Sequence, residues 1–122
     1  MSIPEDLLYT SHDEWVRVEG DLLVIGITHY AQDALGELVH VELPEEGDEI
    51  ATGEAVCEVE SVKAVAEVYS PADGEIVAVN EDLEDAAETI NSDPYGAGWL
   101  VKIRAAAPEG LLDAEAYAEK IA

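Results

Sequence analysis

The sequence predicts one mainly β domain built from two similar halves, with a short helix after the first hairpin and a C-terminal helix. Three observations predict it. Short strand-like runs separated by turn residues fill most of the 122 residues. "GELVHV" (36–41) is echoed by "GEIVAV" (74–79), a Gly-Glu-apolar-Val-x-Val pattern repeated 38 residues on. Apolar residues make up 48% of the chain and are mainly Val, Ile, Leu and Ala with no Phe, enough for an ordinary core in a chain of this length. Each echo is followed by an acidic turn region, an isoleucine (Ile50, Ile90) and a Gly-led strand ("GEAVCEV", "GWLVKI"). Two β-halves related by a pseudo-twofold, neither able to bury a core alone, would close into a sandwich or barrel that hides its edges.

In order along the chain, Trp15, Val16 and Val18 form a strand that turns at Glu19-Gly20-Asp21 into a second, Leu22 to Ile27. Thr28 can cap a short helix in which Tyr30/Ala34 and Ala31/Leu35 pair at i,i+4, and Gly36 can end it. Strands then resume, and the core sheet is expected to span roughly 14–104 within a single domain of 1–122. Over roughly 111–121, Ala114, Tyr117, Ala118 and Ile121 fall on one helical face behind Asp113 as N-cap.

Charge is the extreme feature: 29 Asp and Glu against five Lys and Arg, a formal net charge of −24. Nucleic acids and anionic membranes, themselves polyanions, are thereby excluded as partners. The acids are spread along the chain rather than gathered in a tail, which fits a protein from a salt-rich, halophilic cytoplasm where counter-ions screen self-repulsion. The start, "MSIPEDLLYT", lacks the basic residues and apolar stretch of a signal peptide, and no run could span a bilayer, so a cytoplasmic location is expected; the chain is also expected to be a monomer.

Against that charge, Lys63 stands between two strand-like runs in "CEVESVKAVAEVYSP" (57–71). With Val62-Lys63 as loop, Ser61 faces Ala64, Glu60 faces Val65, Val59 faces Ala66, Glu58 faces Glu67 and Cys57 faces Val68. Cys57, Val59, Ala66 and Val68 then share an inward face. Val56, Glu58, Glu60, Val65, Glu67 and Tyr69 share a mixed, water-facing one. Neither loop residue is the Gly, Asn or Asp that tight hairpin turns favour, so a type I turn or mild strain is expected. Glu58 against Glu67 is a repulsive pair. An unfavourable tip that keeps its lysine hints at a used tip, while the spacing alone fits a surface lysine on an ordinary hairpin at least as well. A Schiff-base role would need desolvation or a neighbouring cation, and the neighbours Glu60 and Glu67 are anionic.

"VESVKAVAEVYSP" resembles the lipoyl-attachment segment of glycine cleavage system H proteins, whose pattern is Glu-Ser-Val-Lys-Ala in a β-hairpin. "DEWVRVEG", "VIGITHYAQDALGELVHVELPEEGDEI" and "INSDPYGAGWLVKI" resemble further signatures of that family in order and spacing, so the likeness covers roughly residues 7 to 121. It implies a lipoyl/biotinyl-like barrel-sandwich hybrid that acts as a carrier, with no catalytic site of its own. It also implies lipoate in amide linkage on Lys63. The implied partners are the pyridoxal-phosphate glycine decarboxylase (P protein), the tetrahydrofolate-dependent aminomethyltransferase (T protein), dihydrolipoamide dehydrogenase (L protein) and a lipoate ligase or lipoyl transferase. Cofactor-binding residues carried over with Lys63 are Ser61 and Glu60 at the tip, Glu60 for recognition by the ligase. Glu67 and Glu14 follow as acids of a cleft into which the loaded arm folds. The family commonly has His before Glu-Trp where this chain has Asp13, preceded by His12, and an acid where it has His29.

Among other candidates, His12, His29, His40 and Cys57 show no metal spacing, and no EF-hand loop, dinucleotide loop or Ser/His/Asp set is recognisable. A lipoyl domain of a 2-oxo acid dehydrogenase would carry Asp-Lys-Ala at the tip and a biotin carrier Met-Lys-Met. A non-lipoylated H-like scaffold or regulator is the alternative outside the carriers.

Overall fold

The computed structural model describes residues 2–122. Its elements are β1 (Leu8–Tyr9), β2 (Glu14–Glu19), β3 (Leu22–Ile27), α1 (His29–Leu35), β4 (Leu38–Glu42), β5 (Glu49–Ile50), β6 (Ala55–Ser61) and β7 (Val65–Tyr69). Then follow β8 (Gly74–Val79), a 3-10 turn at Glu81–Glu84, α2 (Thr89–Ser92), β9 (Val101–Arg104) and α3 (Ala114–Ile121). The strands form a six-stranded sheet ordered β1-β2-β3-β9-β8-β5 and a three-stranded sheet ordered β4-β6-β7.

The sequence echo has a structural counterpart. β4 and β8 carry it, and each pairs antiparallel with the next long strand, β6 and β9. Both pairs bulge at the same place in the echo, between Leu38 and His40 in one and between Ile76 and Ala78 in the other. β7 then flanks β6 as β3 flanks β9, so the units β4-β6-β7 and β8-β9-β3 match. Their inward residues, among them Val41, Val59 and Val68 from one unit and Ile25, Ile76 and Ile103 from the other, merge in a single core. Each such fully buried side chain contributes about 1.5–3 kcal/mol relative to exposure.

The far side of the larger sheet has its own apolar cluster, with Tyr9, Trp15 and Val24 under Tyr117 of α3. The Tyr9 and Tyr117 rings stack at 4.7 Å. Gly26 faces Trp15, and a Cβ there would lie 2.5 Å from the indole, so the strand needs glycine for this close approach. α3 begins at Ala114, where Asp113 accepts from the N–H of Ala116 as N-cap, while Leu112 just before it still pairs backbone to backbone with Tyr9. Thr28 caps α1 through the N–H of Ala31, and Gly36 closes it at φ 86°. Among the described residues no helix is long and apolar enough to cross a membrane.

One side-chain assignment is corrected. Val56, expected on the water-facing side of the hairpin, is buried. The pairing slips between Ala55 and Cys57, and the extra residue turns Val56 inward alongside Cys57.

Candidate functional site

β6 and β7 form the hairpin in the expected register: Glu60 opposite Val65, Val59 opposite Ala66, Glu58 opposite Glu67 and Cys57 opposite Val68. Val62 and Lys63 are the two-residue loop, closed by the Ser61 N–H donating to the Ala64 carbonyl at 2.8 Å. Neither loop residue has positive φ, so a mirror-image turn does not form and no left-handed strain is stored. Ser61 makes this possible. Its buried hydroxyl accepts from the N–H groups of Lys63 at 3.2 Å and Ala64 at 3.0 Å, folding the tip by a side-chain turn where glycine would otherwise be needed.

The tip rests on a platform. The N–H of Val62 donates to the Glu37 carbonyl at 3.3 Å, and Lys63 Cε would lie 3.6 Å from a Cβ built at Gly36. Asn91 of α2 fixes that segment from behind: its amide donates to Gln32 Oε1 and to the Gly36 carbonyl, and its Oδ1 accepts from the N–H of Leu38. Leu38 in turn pairs with Ser61. Sequence reasoning missed Asn91; its only signal was a polar Asn inside the "TINSDP" stretch.

Lys63 is exposed. The other four cations are engaged: Arg17 with the Tyr95 carbonyl and the Trp15 ring, Lys102 with Glu19, Arg104 with Asp21 and Glu75, and Lys120 with Asp13. Among the described residues Lys63 alone has no such partner, in a chain with 29 carboxylates. Its amine is free to be acylated, and an amide there would remove the only positive charge on the hairpin.

Glu60 and Glu67 are exposed on the outer face of the three-stranded sheet. Glu60 sits between His40 and Val65, while Glu67 ends a row of three carboxylates, Glu42, Glu58 and Glu67, directly across the strands. Such like-charge neighbours repel.

Glu14 lies elsewhere, on β2 of the other sheet, and is 2% exposed. Its Oε1 accepts from the Thr10 hydroxyl at 2.7 Å and its Oε2 from the N–H of Tyr69 at 2.8 Å. It thus ties the end of β7, six residues beyond Lys63, to the other sheet. Burial pushes its carboxyl above the usual carboxylate range, against those two hydrogen bonds and the nearby His12. It forms part of the wall of a cavity of about 380 Å³, with Thr10, His12, Tyr69, Pro71 and Leu111. The structure therefore brings Lys63 and Ser61 together with Glu60 nearby, and sets Glu14 apart at the far end of β7, two residues past Glu67. Tyr69 was not legible as a partner of Glu14, because that bond crosses 55 residues, and Thr10, four residues before Glu14, was missed as well.

Of the departures noted in the sequence, Asp13 adopts φ 65° and accepts from the Tyr117 hydroxyl at 3.0 Å, while the His12 ring lies 5.1 Å from that of Tyr69. His29 Nδ1 accepts from the N–H of Ser2 at 3.2 Å. Cys57 is buried in the core, and its thiol is pushed up to about 12 by burial first and by the Glu14 charge second, so it is an inert core thiol.

A sequence model of the family described as "Glycine cleavage H-protein" matches residues 7–122. The chain is 56% identical to the glycine cleavage system H protein of Alteromonas mediterranea, over 98% of this chain and 96% of that one. It is 54% identical to that of Nitratidesulfovibrio vulgaris, over 100% and 97%. The crystal structure of a glycine cleavage system H protein from Mycobacterium marinum superposes with a TM-score of 0.91 at 44% identity, covering 98% of both chains.

Proposed function

The chain belongs to the glycine cleavage H-protein family, and from that premise we propose that it is the lipoylated carrier of glycine cleavage, with Lys63 as its attachment residue. The observation that carries the assignment is the state of Lys63: exposed at the end of a rigid hairpin, and without the partner that each of the other four cations has. An amide-linked lipoyl group fits these residues. The amine is accessible, Gly36 beside it leaves room for the stem, and no buried cation is created.

Lipoate supplies, when bound, a dithiolane for reductive capture of an aminomethyl group at glycine decarboxylase, its delivery to the tetrahydrofolate-dependent aminomethyltransferase, and reoxidation by dihydrolipoamide dehydrogenase. The chain's own residues have five tasks. Ser61 folds the tip so that Lys63 projects, and the platform at Gly36–Leu38 keeps that direction fixed, which raises the effective concentration of the arm at each client. Glu60 is the carboxylate a lipoate ligase or lipoyl transferase meets beside the lysine. β7 is an edge strand of its sheet, and an arm lying along it passes Glu67 and ends at Glu14 and its cavity. The second lone pairs of the Glu14 oxygens can hold an aminomethyl amine there, away from water.

The test is exchange of labelled bicarbonate with glycine by the decarboxylase of the same organism. Lys63→Ala and Lys63→Arg carriers should give only the exchange seen without carrier. Exchange retained by Lys63→Arg would contradict the assignment.

A further inference from the structure

Few large apolar side chains of the described residues are strongly exposed, and most of them gather at one place. Val62 is 73% exposed, Val65 57% and Val39 53%; Val18, at 49%, lies away on β2. The three come from three segments around Lys63. Val62 is its neighbour in the loop, Val65 faces Glu60 at the top of β7, and Val39 follows Leu38, the partner of Ser61. Folding does not account for this exposure. A β-branched residue at a hairpin tip gains nothing from the turn, and the bulge between Leu38 and His40 leaves Val39 in solvent, whereas Val77 at the matching bulge of the other half is half-buried. The tip cannot retract the patch, because Val62 is held to Glu37 and Ser61 to Ala64 through their backbones. Within and around the valines stand Glu37, Glu60 and His40, which faces Glu60, and among the described residues no Lys or Arg but Lys63, whose charge an amide removes.

Resting on the carrier assignment above, we propose that Val39, Val62 and Val65 form an apolar collar that seats against the glycine decarboxylase where it receives the arm. The partner's face is an apolar rim with a Lys or Arg placed to meet Glu60. Charge decides between occupants. At −24, two copies of this chain repel each other, while a cation-bearing rim is complementary to the acids among the valines. The apolar ring supplies contact energy that salt does not screen, and the carboxylates supply orientation.

The experiment measures KM and kcat of the glycine decarboxylase for the fully lipoylated full-length carrier, with loading matched by intact mass. Val39→Thr, Val62→Thr and Val65→Thr keep shape and strand preference while replacing a methyl by a hydroxyl, so the hairpin is retained. The triple variant should raise KM by about tenfold or more at unchanged kcat, whereas Val62→Ile alone, which keeps the apolar surface, and Val18→Thr should both behave as wild type. A triple variant whose KM stays within twofold of wild type, or one that loses kcat alone, overturns the collar while wild-type turnover leaves the carrier assignment standing. Wild-type carrier with no turnover overturns the assignment and the collar together. Sedimentation showing valine-dependent self-association of wild-type protein also overturns the collar, since a second copy would then be the occupant.

Discussion

At the residue scale, Glu14 carries the clearest electrostatic consequence. Its carboxyl is held above its ordinary value of 4.5 by burial, so the folded chain binds that proton more tightly than the unfolded chain does. The stability this confers is complete below the ordinary value and is lost as pH rises through the raised one. Glu14→Gln removes the titration and keeps a similar shape. Urea midpoints of the two proteins at pH 5 and pH 7 should show wild type losing ground to the glutamine variant as pH rises. A difference that stays constant, or moves toward wild type, would refute the burial effect. Gly26 is the second single-residue test. Alanine there meets the Trp15 indole, whose N–H donates to the Pro94 carbonyl at 2.9 Å, and the strand cannot back away without breaking its pairing. A loss of about 1–3 kcal/mol in urea denaturation is expected.

At the scale of elements, the hairpin stands on hydrogen bonds that a pattern of apolar residues does not report. Asn91→Ala leaves the Gln32 side chain, the Gly36 carbonyl and the Leu38 N–H without their partner. A loss of about 1–3 kcal/mol is expected, together with faster amide exchange at Val62, whose acceptor Glu37 lies in the segment Asn91 fixes. Unchanged exchange there would show that the platform does not hold the tip. The same hairpin marks how far sequence reasoning reaches. Its register followed from alternation, because a slip by one would have put Cys57, Val59 and Val68 in water and glutamates in the core. The helix caps Thr28, Gly36 and Asp113 followed from local chemistry. Val56 did not, because a bulge is one extra residue that periodicity cannot see. Nor did the Ser61 turn, which replaces the glycine that hairpin statistics look for. Resemblance singled Glu14 out as a candidate, whereas its bond to Tyr69 needed the fold, since the two meet only when the sheets pack.

For the whole molecule, the pairing of β3 with β9 joins residues almost eighty positions apart and closes the half that the echo only suggested. The net charge of −24 opposes that closure. Screening shortens from about 10 Å at 0.1 M salt to about 3 Å at 1 M, so the urea midpoint should rise between those concentrations of KCl; a fall would mean that the acids are neutralised within the fold. The proposed function depends on which of the three lysines would be acylated. Lys102 and Lys120 are held by Glu19 and Asp13, and Lys63 is not held. The decisive measurement is peptide-resolved mass spectrometry of the protein purified from its own cells, beside its Lys63→Arg variant. A lipoyl increment confined to the Lys63 peptide and absent from the variant is expected. An unmodified wild-type chain, or an increment on Lys102 or Lys120, would contradict the carrier.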